Sequence, residues 1–235
     1  MISVIVPAYN EEKLLPATLE AIRRSQSGLN EIIVVDNEST DKTRYIANAA
    51  GAKIVEASVH NIAHVRNKGA AAASGEILVF IDADTIVKPG IFEVIESAMS
   101  DPMCFGGSVR VEYETPFERF WMSFFMKLWV VLAKLTTMRQ GAMQYCRPDV
   151  FQELRGYDES IYVGEDIEFH WRLDKLARRR GGYTHFIEKP TVVTSSRRWN
   201  NLGLFRMLFF THPITMLLAS RRRSFWKDWY ERAIR

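Results

Sequence analysis

Four short apolar runs, Ser3 to Ala8, Glu31 to Asp36, Lys53 to Glu56 and Ile77 to Asp82, punctuate the N-terminal part of the chain, each bounded by turn-forming residues. Between and after them lie stretches with helical periodicity and a polar face: Glu12 to Ser25, Asp41 to Ala50, Ile62 to Ala73 and Pro89 to Met99. Strands separated by helices cannot pair as hairpins. Each return is a crossover, so the pattern predicts a mostly parallel, doubly wound sheet flanked by helices. Pro89 is expected in the first turn of its helix, where a missing N–H costs nothing.

In sheets of this kind, ligands bind beyond the carboxyl ends of the strands, so the residues that terminate each run matter most. Here they are Asn10, Asp36, and Asp82 with Asp84. The run Ile77-Leu78-Val79-Phe80-Ile81 ends in two carboxylates separated by Ala83. Burying such charge is costly unless it is paired or bound to a cation. Two carboxylates splayed at a loop suit a hard divalent ion, Mg²⁺ or Mn²⁺, whose shell substrate phosphates and water complete. Asp36 likewise closes Ile32-Ile33-Val34-Val35. Helix capping accounts for Ser39, Thr40 or Asp41 after it, and leaves the charge at Asp36 unexplained.

With 235 residues and 47% hydrophobic content, the chain can bury one sizeable core, and no shift in composition demands two independently folding units. Cys104 and Cys146 are too few for a disulfide framework and lack the close spacing of a zinc or redox site, which suits a reducing, cytoplasmic setting. The opening Met1-Ile2-Ser3-Val4-Ile5-Val6-Pro7 has no basic flank and too short an apolar run for a signal peptide, and is expected to be a core strand.

Charge is divided unevenly. Up to Phe117 the chain carries 10 Lys and Arg against 16 Asp and Glu; beyond it, 21 against 12. An acidic half suits a cation, and a basic half suits an anionic partner or simply a solvated face. The second half is less regular, with a strand-like Ala142 to Arg147 and a helix near Gly164 to Arg180. Phe117 to Leu135 is rich in aromatics yet interrupted by Glu118, Arg119, Lys127 and Lys134, so it fits a membrane interface or a buried helix better than a span. Leu202 to Ala219, followed by Arg221-Arg222-Arg223, Trp226, Lys227 and Trp229, suggests peripheral attachment to an anionic membrane surface on the inner face.

Several blocks then occur in a fixed order: Pro7-Ala8-Tyr9-Asn10-Glu11-Glu12, Val35-Asp36-Asn37-Glu38-Ser39-Thr40-Asp41, Ala63-His64-Val65-Arg66-Asn67-Lys68-Gly69 and Phe80-Ile81-Asp82-Ala83-Asp84-Thr85. Gly156-Tyr157-Asp158-Glu159 and Gly164-Glu165-Asp166-Ile167-Glu168-Phe169 continue the series. Together they resemble the family-2 glycosyltransferases of the GT-A fold, over about three quarters of the chain.

That resemblance implies an α/β, Rossmann-like mixed sheet with a helical aromatic-rich insertion and basic C-terminal helices. It implies a catalytic domain over residues 1–200, with a nucleotide-sugar-binding half (1–115) and an acceptor half (116–200), and an appendage at 201–235. The implied reaction moves a single sugar, with inversion, from a nucleoside-diphosphate sugar, UDP favoured, to a hydroxyl or lipid-phosphate acceptor. Pro7, Tyr9, Glu11 and Asp36 would hold the nucleoside base, Arg66 would line the pocket, and Asp82 would address ribose. Asp84 would hold Mn²⁺ or Mg²⁺, with Asp82 and His170 or His185 as further metal candidates. Asp166 would be the base that deprotonates the acceptor. Acidic residues at a helix start also complement its dipole without any catalytic role, and structural histidines are common, so these assignments have ordinary alternatives. The Gln-x-x-Arg-Trp motif of processive synthases is absent, with Ser196-Arg197-Arg198-Trp199 a partial echo, which favours single-sugar transfer.

Two other functions compete. Asp82-Ala83-Asp84-Thr85 is similar to the opening motif of a haloacid-dehalogenase-type phosphatase, although Thr85 follows the second Asp directly and three βα units precede Asp82. A non-catalytic nucleotide-sugar-binding module would keep the pocket without turnover. No Gly-x-Gly-x-x-Gly follows the first strand, and the basic runs lack a nucleic-acid reading motif, so a dinucleotide oxidoreductase and a nucleic-acid partner are not expected.

Overall fold

A computed structural model describes residues 1–25, 29–114, 141–197, 220–222 and 226. The parallel block forms as expected. Strands β1 (Ile2–Ala8), β2 (Leu29–Asp36), β3 (Lys53–Glu56) and β4 (Ile77–Ile81) alternate with helices α1 (Leu15–Arg24), α2 (Thr43–Ala49) and α3 (Ile62–Ala71). After β4 come β5 (Thr85–Val87), α4 (Ile91–Met99), β6 (Cys104–Tyr113), β7 (Met143–Cys146), α5 (Pro148–Glu153), α6 (Glu165–Arg179) and β8 (Tyr183–Thr194).

The eight strands make one mixed sheet in the order β3-β2-β1-β4-β7-β6-β8-β5. The chain leaves β1 toward β2 and β3, then returns to the other side of β1 with β4, all in parallel. The reversal of direction opens a crevice beyond the carboxyl ends of β1 and β4, where open α/β sheets take their ligands. β7 then pairs antiparallel with β4, extending the sheet past the crevice.

Both sheet faces are buried, which is why β1, β2 and β4 read as continuous apolar runs without polar alternation. Ile2, Val4 and Val6 of β1 and Val79 of β4 pack on one face with Leu15, Leu19 and Ile22 of α1 and Ile91, Phe92 and Ile95 of α4. Ile5, Ile33, Val35 and Phe80 face the other way, against Ala63 and Val65 of α3, Phe151 of α5, and Phe169 and Leu173 of α6. Gly69 lets α3 lie close to this face, since a Cβ there would sit 2.4 Å from Cγ2 of Ile5 and 2.8 Å from Cγ2 of Val35.

Pro89 does not open α4. Gly90 is the N-cap, with φ of 84°, and the proline stands one residue earlier. Pro16 in α1 and Pro148 in α5 take the first-turn position instead. No helix among the described residues is long and apolar enough to cross a membrane. The stretches 117–135 and 202–219, on which the membrane expectation rested, lie outside the described residues. Near the basic triplet, Arg221 Nη2 donates to Asp158 Oδ2 at 2.8 Å, and Trp226 is fully buried. Both make contacts within the protein, and the Arg221 side chain is 62% exposed. Cys104 and Cys146 are both buried and unlinked.

Candidate active site

The loops after β1 and β2 interlock above the sheet. The main-chain N–H of Asn37 donates to the carbonyl of Ala8, and that of Asn10 to Ser39 Oγ. The Thr40 N–H donates in turn to Asn10 Oδ1 at 2.8 Å. Glu11 and Glu12 continue the lacing: the Glu11 N–H donates to Thr43 Oγ1 and the Glu12 N–H to Asp41 Oδ2. Asn10 and Glu38 adopt the left-handed conformation, with φ of 54° and 60°. Such backbone is uncommon for residues with a Cβ and clusters at ligand sites. Asp36 is buried at the base of this loop pair, one oxygen accepting the Ser39 N–H at 3.3 Å, and Pro7 lies beside it on β1 in register with Val35. The Tyr9 ring makes an edge contact with His60 at a centroid distance of 5.1 Å.

Arg66 is the centre of the site. Asn61 caps α3 by accepting the His64 N–H, and its amide group donates to the carbonyls of Glu159 and Ile161, so the helix is fastened to the loop that precedes α6. One turn later Arg66 is only 3% exposed. Its Nη2 donates to Asp82 Oδ1 at 2.8 Å and its Nη1 to Glu165 Oε1 at 2.6 Å, while the guanidinium carbon lies 5.3 Å from the centroid of Tyr157. The structure gives Arg66 both Asp82 and Glu165, of which Glu165 was read only as a helix-start residue. Burial opposes the charge on Arg66, but Asp82 and Glu165 outweigh it and keep the guanidinium firmly protonated.

Glu165 and Asp166 open α6 behind Gly164, whose φ of 82° turns the chain into the helix. Asp166 uses both oxygens: Oδ1 accepts the Ile167 N–H at 2.8 Å and Oδ2 the Gly141 N–H at 2.6 Å. Gln144 Nε2 donates to its carbonyl, and the Tyr157 hydroxyl donates to Gln144 Oε1. Burial raises the Asp166 carboxyl above its ordinary range, against the pull of Arg66 and the two amides. Burial likewise pushes Glu165 up to about 7 despite the guanidinium beside it. A base whose pKa moves toward neutrality is better matched to proton abstraction near pH 7.

Asp84 follows β4 and meets the far end of β8. Thr194 Oγ1 donates to Asp84 Oδ1 at 3.2 Å, and the Ser195 N–H donates to its carbonyl. Arg197 Nη2 lies 3.6 Å from Asp84 Oδ2 and also contacts Glu11 Oε1. Thr194 did not stand out in the sequence, and Arg197 did so only within the partial echo Ser196-Arg197-Arg198-Trp199. Of the histidine candidates, His170 is buried on α6 one turn from Asp166. His185 pairs with Gly107 near the start of β8, nine residues before Thr194; at about 3.3 Å per residue this is far beyond reach of Asp84. Among the described residues no three His, Cys, Asp or Glu side chains gather as a protein cage for a metal. Asp82 and Asp84 nevertheless suit a hard cation that keeps substrate oxygens and water in its shell, and the Arg197 guanidinium beside Asp84 marks the position as one that attracts positive charge.

Residues 3–162 match the model of glycosyl transferase family 2. The chain belongs to that family. Among curated relatives, glucosyl-3-phosphoglycerate synthase of Mycolicibacterium smegmatis is 40% identical over 94 residues, covering 36% of this chain and 31% of that protein. The 4,4'-diaponeurosporenoate glycosyltransferase of Staphylococcus haemolyticus is 40% identical over 90 residues, covering 35% of this chain and 24% of that protein. This chain thus spans about a third or less of the length of these relatives. In fold it matches glucosyl-3-phosphoglycerate synthase of Mycobacterium tuberculosis, solved with Mn²⁺, UDP and glucosyl-3-phosphoglycerate. The TM-score is 0.64 at 21% identity, over 94% of this chain and 79% of that one. A mannosyltransferase of Pyrobaculum calidifontis in complex with GDP-Man and Mn²⁺ also gives 0.64, at 23% identity, over 82% and 56% of the two chains. The GT-A fold expected of a family-2 chain is the one present.

Proposed function

We propose that this family-2 chain transfers a sugar from a nucleoside-diphosphate sugar to an acceptor hydroxyl, with inversion at the anomeric carbon. The observation that carries the reading is the bridge made by Arg66 between Asp82, at the end of β4, and Glu165, the neighbour of Asp166. It ties the carboxylate on the donor side to the helix that presents the base.

In this reading the interlocked loops at Pro7, Tyr9, Glu11 and Asp36 form the nucleoside pocket within residues 1–115, and residues 116–200 form the acceptor side. A divalent ion, Mn²⁺ or Mg²⁺, held by Asp84 with Asp82, supplies charge stabilisation for the departing diphosphate. Asp166 takes the proton of the acceptor hydroxyl as that oxygen attacks the anomeric carbon, and the bond to the diphosphate breaks on the opposite side. Backbone donors at Gly141 and Ile167 fix the direction of the Asp166 carboxylate, and Arg66 neutralises the neighbouring acids so that the site tolerates their burial. Both UDP and GDP occur with solved proteins of this fold, and UDP is favoured here because the mycobacterial synthase shares more of this chain. Family membership displaces the phosphatase alternative.

The test is calorimetric titration of UDP and of GDP with and without Mn²⁺, on the wild-type protein and on Asp84→Ala. Metal-dependent binding of one nucleotide that disappears in the variant supports the donor site and identifies the base. Binding of neither nucleotide overturns the reading; metal-dependent binding without sugar transfer to any acceptor leaves a nucleotide-sugar-binding module.

A further inference from the structure

Glu11 follows β1 and Asp84 follows β4, so the two carboxylates stand on either side of the crevice where the strand order reverses. A cation from a third element lies between them. Arg197, three residues beyond the end of β8, places Nη2 against Glu11 Oε1 and 3.6 Å from Asp84 Oδ2. Its side chain is 25% exposed, whereas those of Glu11 and Asp84 are 8% and 19% exposed, so a mostly sheltered pair of anions is balanced by a guanidinium at the edge of solvent. The backbone holds it there. The Ser195 N–H donates to the Asp84 carbonyl at 3.2 Å, the Arg197 N–H donates to Ser195 Oγ at 3.2 Å, and Thr194 Oγ1 donates to Asp84 Oδ1. The opposite wall is just as fixed, because the Glu11 N–H donates to Thr43 Oγ1 at 2.7 Å.

We infer that Arg197 is an exchangeable counter-ion of the donor site, competing with the divalent cation for Asp84 until a nucleoside diphosphate arrives to take it. This rests on the donor-site reading above. In the free protein, a divalent ion approaching Asp84 meets a positive charge already in place. A metal ion alone therefore binds weakly. A nucleoside diphosphate brings anionic oxygens to the same crevice, offers the guanidinium another partner and supplies ligands to the ion. Each of the two, ion and nucleotide, then strengthens the binding of the other by the same factor, as linkage requires.

The measurement is the affinity of Mn²⁺ alone, from the electron paramagnetic resonance signal of the free ion, for the wild-type protein, Arg197→Gln and Arg197→Lys, repeated with UDP and with GDP. Expected is Mn²⁺ binding to Arg197→Gln about ten-fold tighter than to wild type, equivalent to about 1.4 kcal/mol, with the mutual enhancement of ion and nucleotide reduced by a similar factor. Arg197→Lys, which keeps the charge, stays near wild type and shows that the effect is not one of folding. Unchanged or weaker binding of Mn²⁺ alone to Arg197→Gln overturns the inference. That comparison needs no nucleotide, so it is decided separately from the donor-site reading, which fails only if no nucleotide binds to the wild-type protein with the ion present.

Discussion

The main-chain N–H of Gly141 donates to Oδ2 of Asp166 at 2.6 Å, so the carboxylate assigned as base is aimed from outside its own helix. The contact leaves no room for a side chain. A Cβ on residue 141 would sit 2.2 Å from Cβ of Asp166 and 2.5 Å from Oδ2. Gly141→Ala is therefore expected to turn the carboxylate aside and lower kcat by about 10²-fold, with UDP and Mn²⁺ binding retained, since small misplacements of a catalytic group cost that much. Steady-state kinetics beside calorimetry on the same variant checks this; wild-type kcat would show that the carboxylate keeps its aim without the glycine.

Asp166→Asn keeps the shape of the side chain and removes its basicity. Sugar transfer is expected to fall by about 10² to 10⁴-fold, the range general base catalysis contributes, while metal-dependent nucleotide binding persists. Asp84→Ala is expected to behave in the opposite way, losing metal-dependent binding itself. Full transfer by Asp166→Asn would remove the assigned base.

Arg66→Met leaves Asp82 and the buried Glu165 without their common cation. Removing one member of a buried ion pair costs about 3–5 kcal/mol, which urea denaturation can read directly. The double variant Arg66→Met, Glu165→Gln is expected to recover part of that loss. Equal stability of the single and double variants would show that the Glu165 charge is compensated in another way.

Glu165 also predicts a dependence on pH. Its carboxyl is raised from 4.5 to about 7, so the folded chain holds this proton more tightly than the unfolded chain. The stabilisation from the protonated group is fully present below the unfolded value and is lost as pH rises through the folded one. Relative to Glu165→Gln, the wild-type protein is thus expected to lose stability between about pH 5 and pH 8, read from urea midpoints at several pH values. A difference that does not change over this range would mean that the carboxyl is not raised.

Gly69→Ala is expected to destabilise by about 1–3 kcal/mol, because the added methyl drives α3 away from Ile5 and Val35 in a packed face. Arg66 stands one turn earlier on the same helix, so nucleotide affinity should fall together with the denaturation midpoint. Loss of stability without loss of affinity would show that Arg66 keeps its partners when the helix shifts.

The parallel block was legible because β1, β2 and β4 centre on apolar runs and each crossover helix has a polar face. The later strands were harder to see. β6 contains Gly106-Gly107, which resembles a turn, yet these glycines let neighbouring strands approach: a Cβ would lie 2.3 Å from the Tyr145 carbonyl oxygen at the first and 1.8 Å from that of His185 at the second. β8 includes Glu188, Lys189 and Pro190, a polar interruption that hides a twelve-residue strand. The start of α4 was placed two residues early, at Pro89, because Gly90 takes the cap in a left-handed conformation and the helix begins at Ile91.

In the site, the ends of β2 and β4 and the start of α6 could be read from local pattern, and the ordered blocks suggested the roles proposed for them. The partners of those residues could not. Glu165 is 99 residues from Arg66, and Arg197 is 186 residues from Glu11. Local periodicity carries no information about pairs that only the closed sheet brings together.

β4 is the seam of the molecule: it pairs in parallel with β1 on one edge and antiparallel with β7 on the other. Everything that would grip the nucleoside precedes β4 or follows it directly, whereas Asp166, the proposed base, lies in chain that follows β7. Recombination between relatives in the connection from α4 to β6 would therefore exchange the acceptor side as a cassette while leaving the nucleoside grip whole. A chimaera must conserve matched sets across that junction, among them arginine on α3 with the aspartate after β4 and the glutamate at the head of α6, and Glu11 and Asp84 with Arg197.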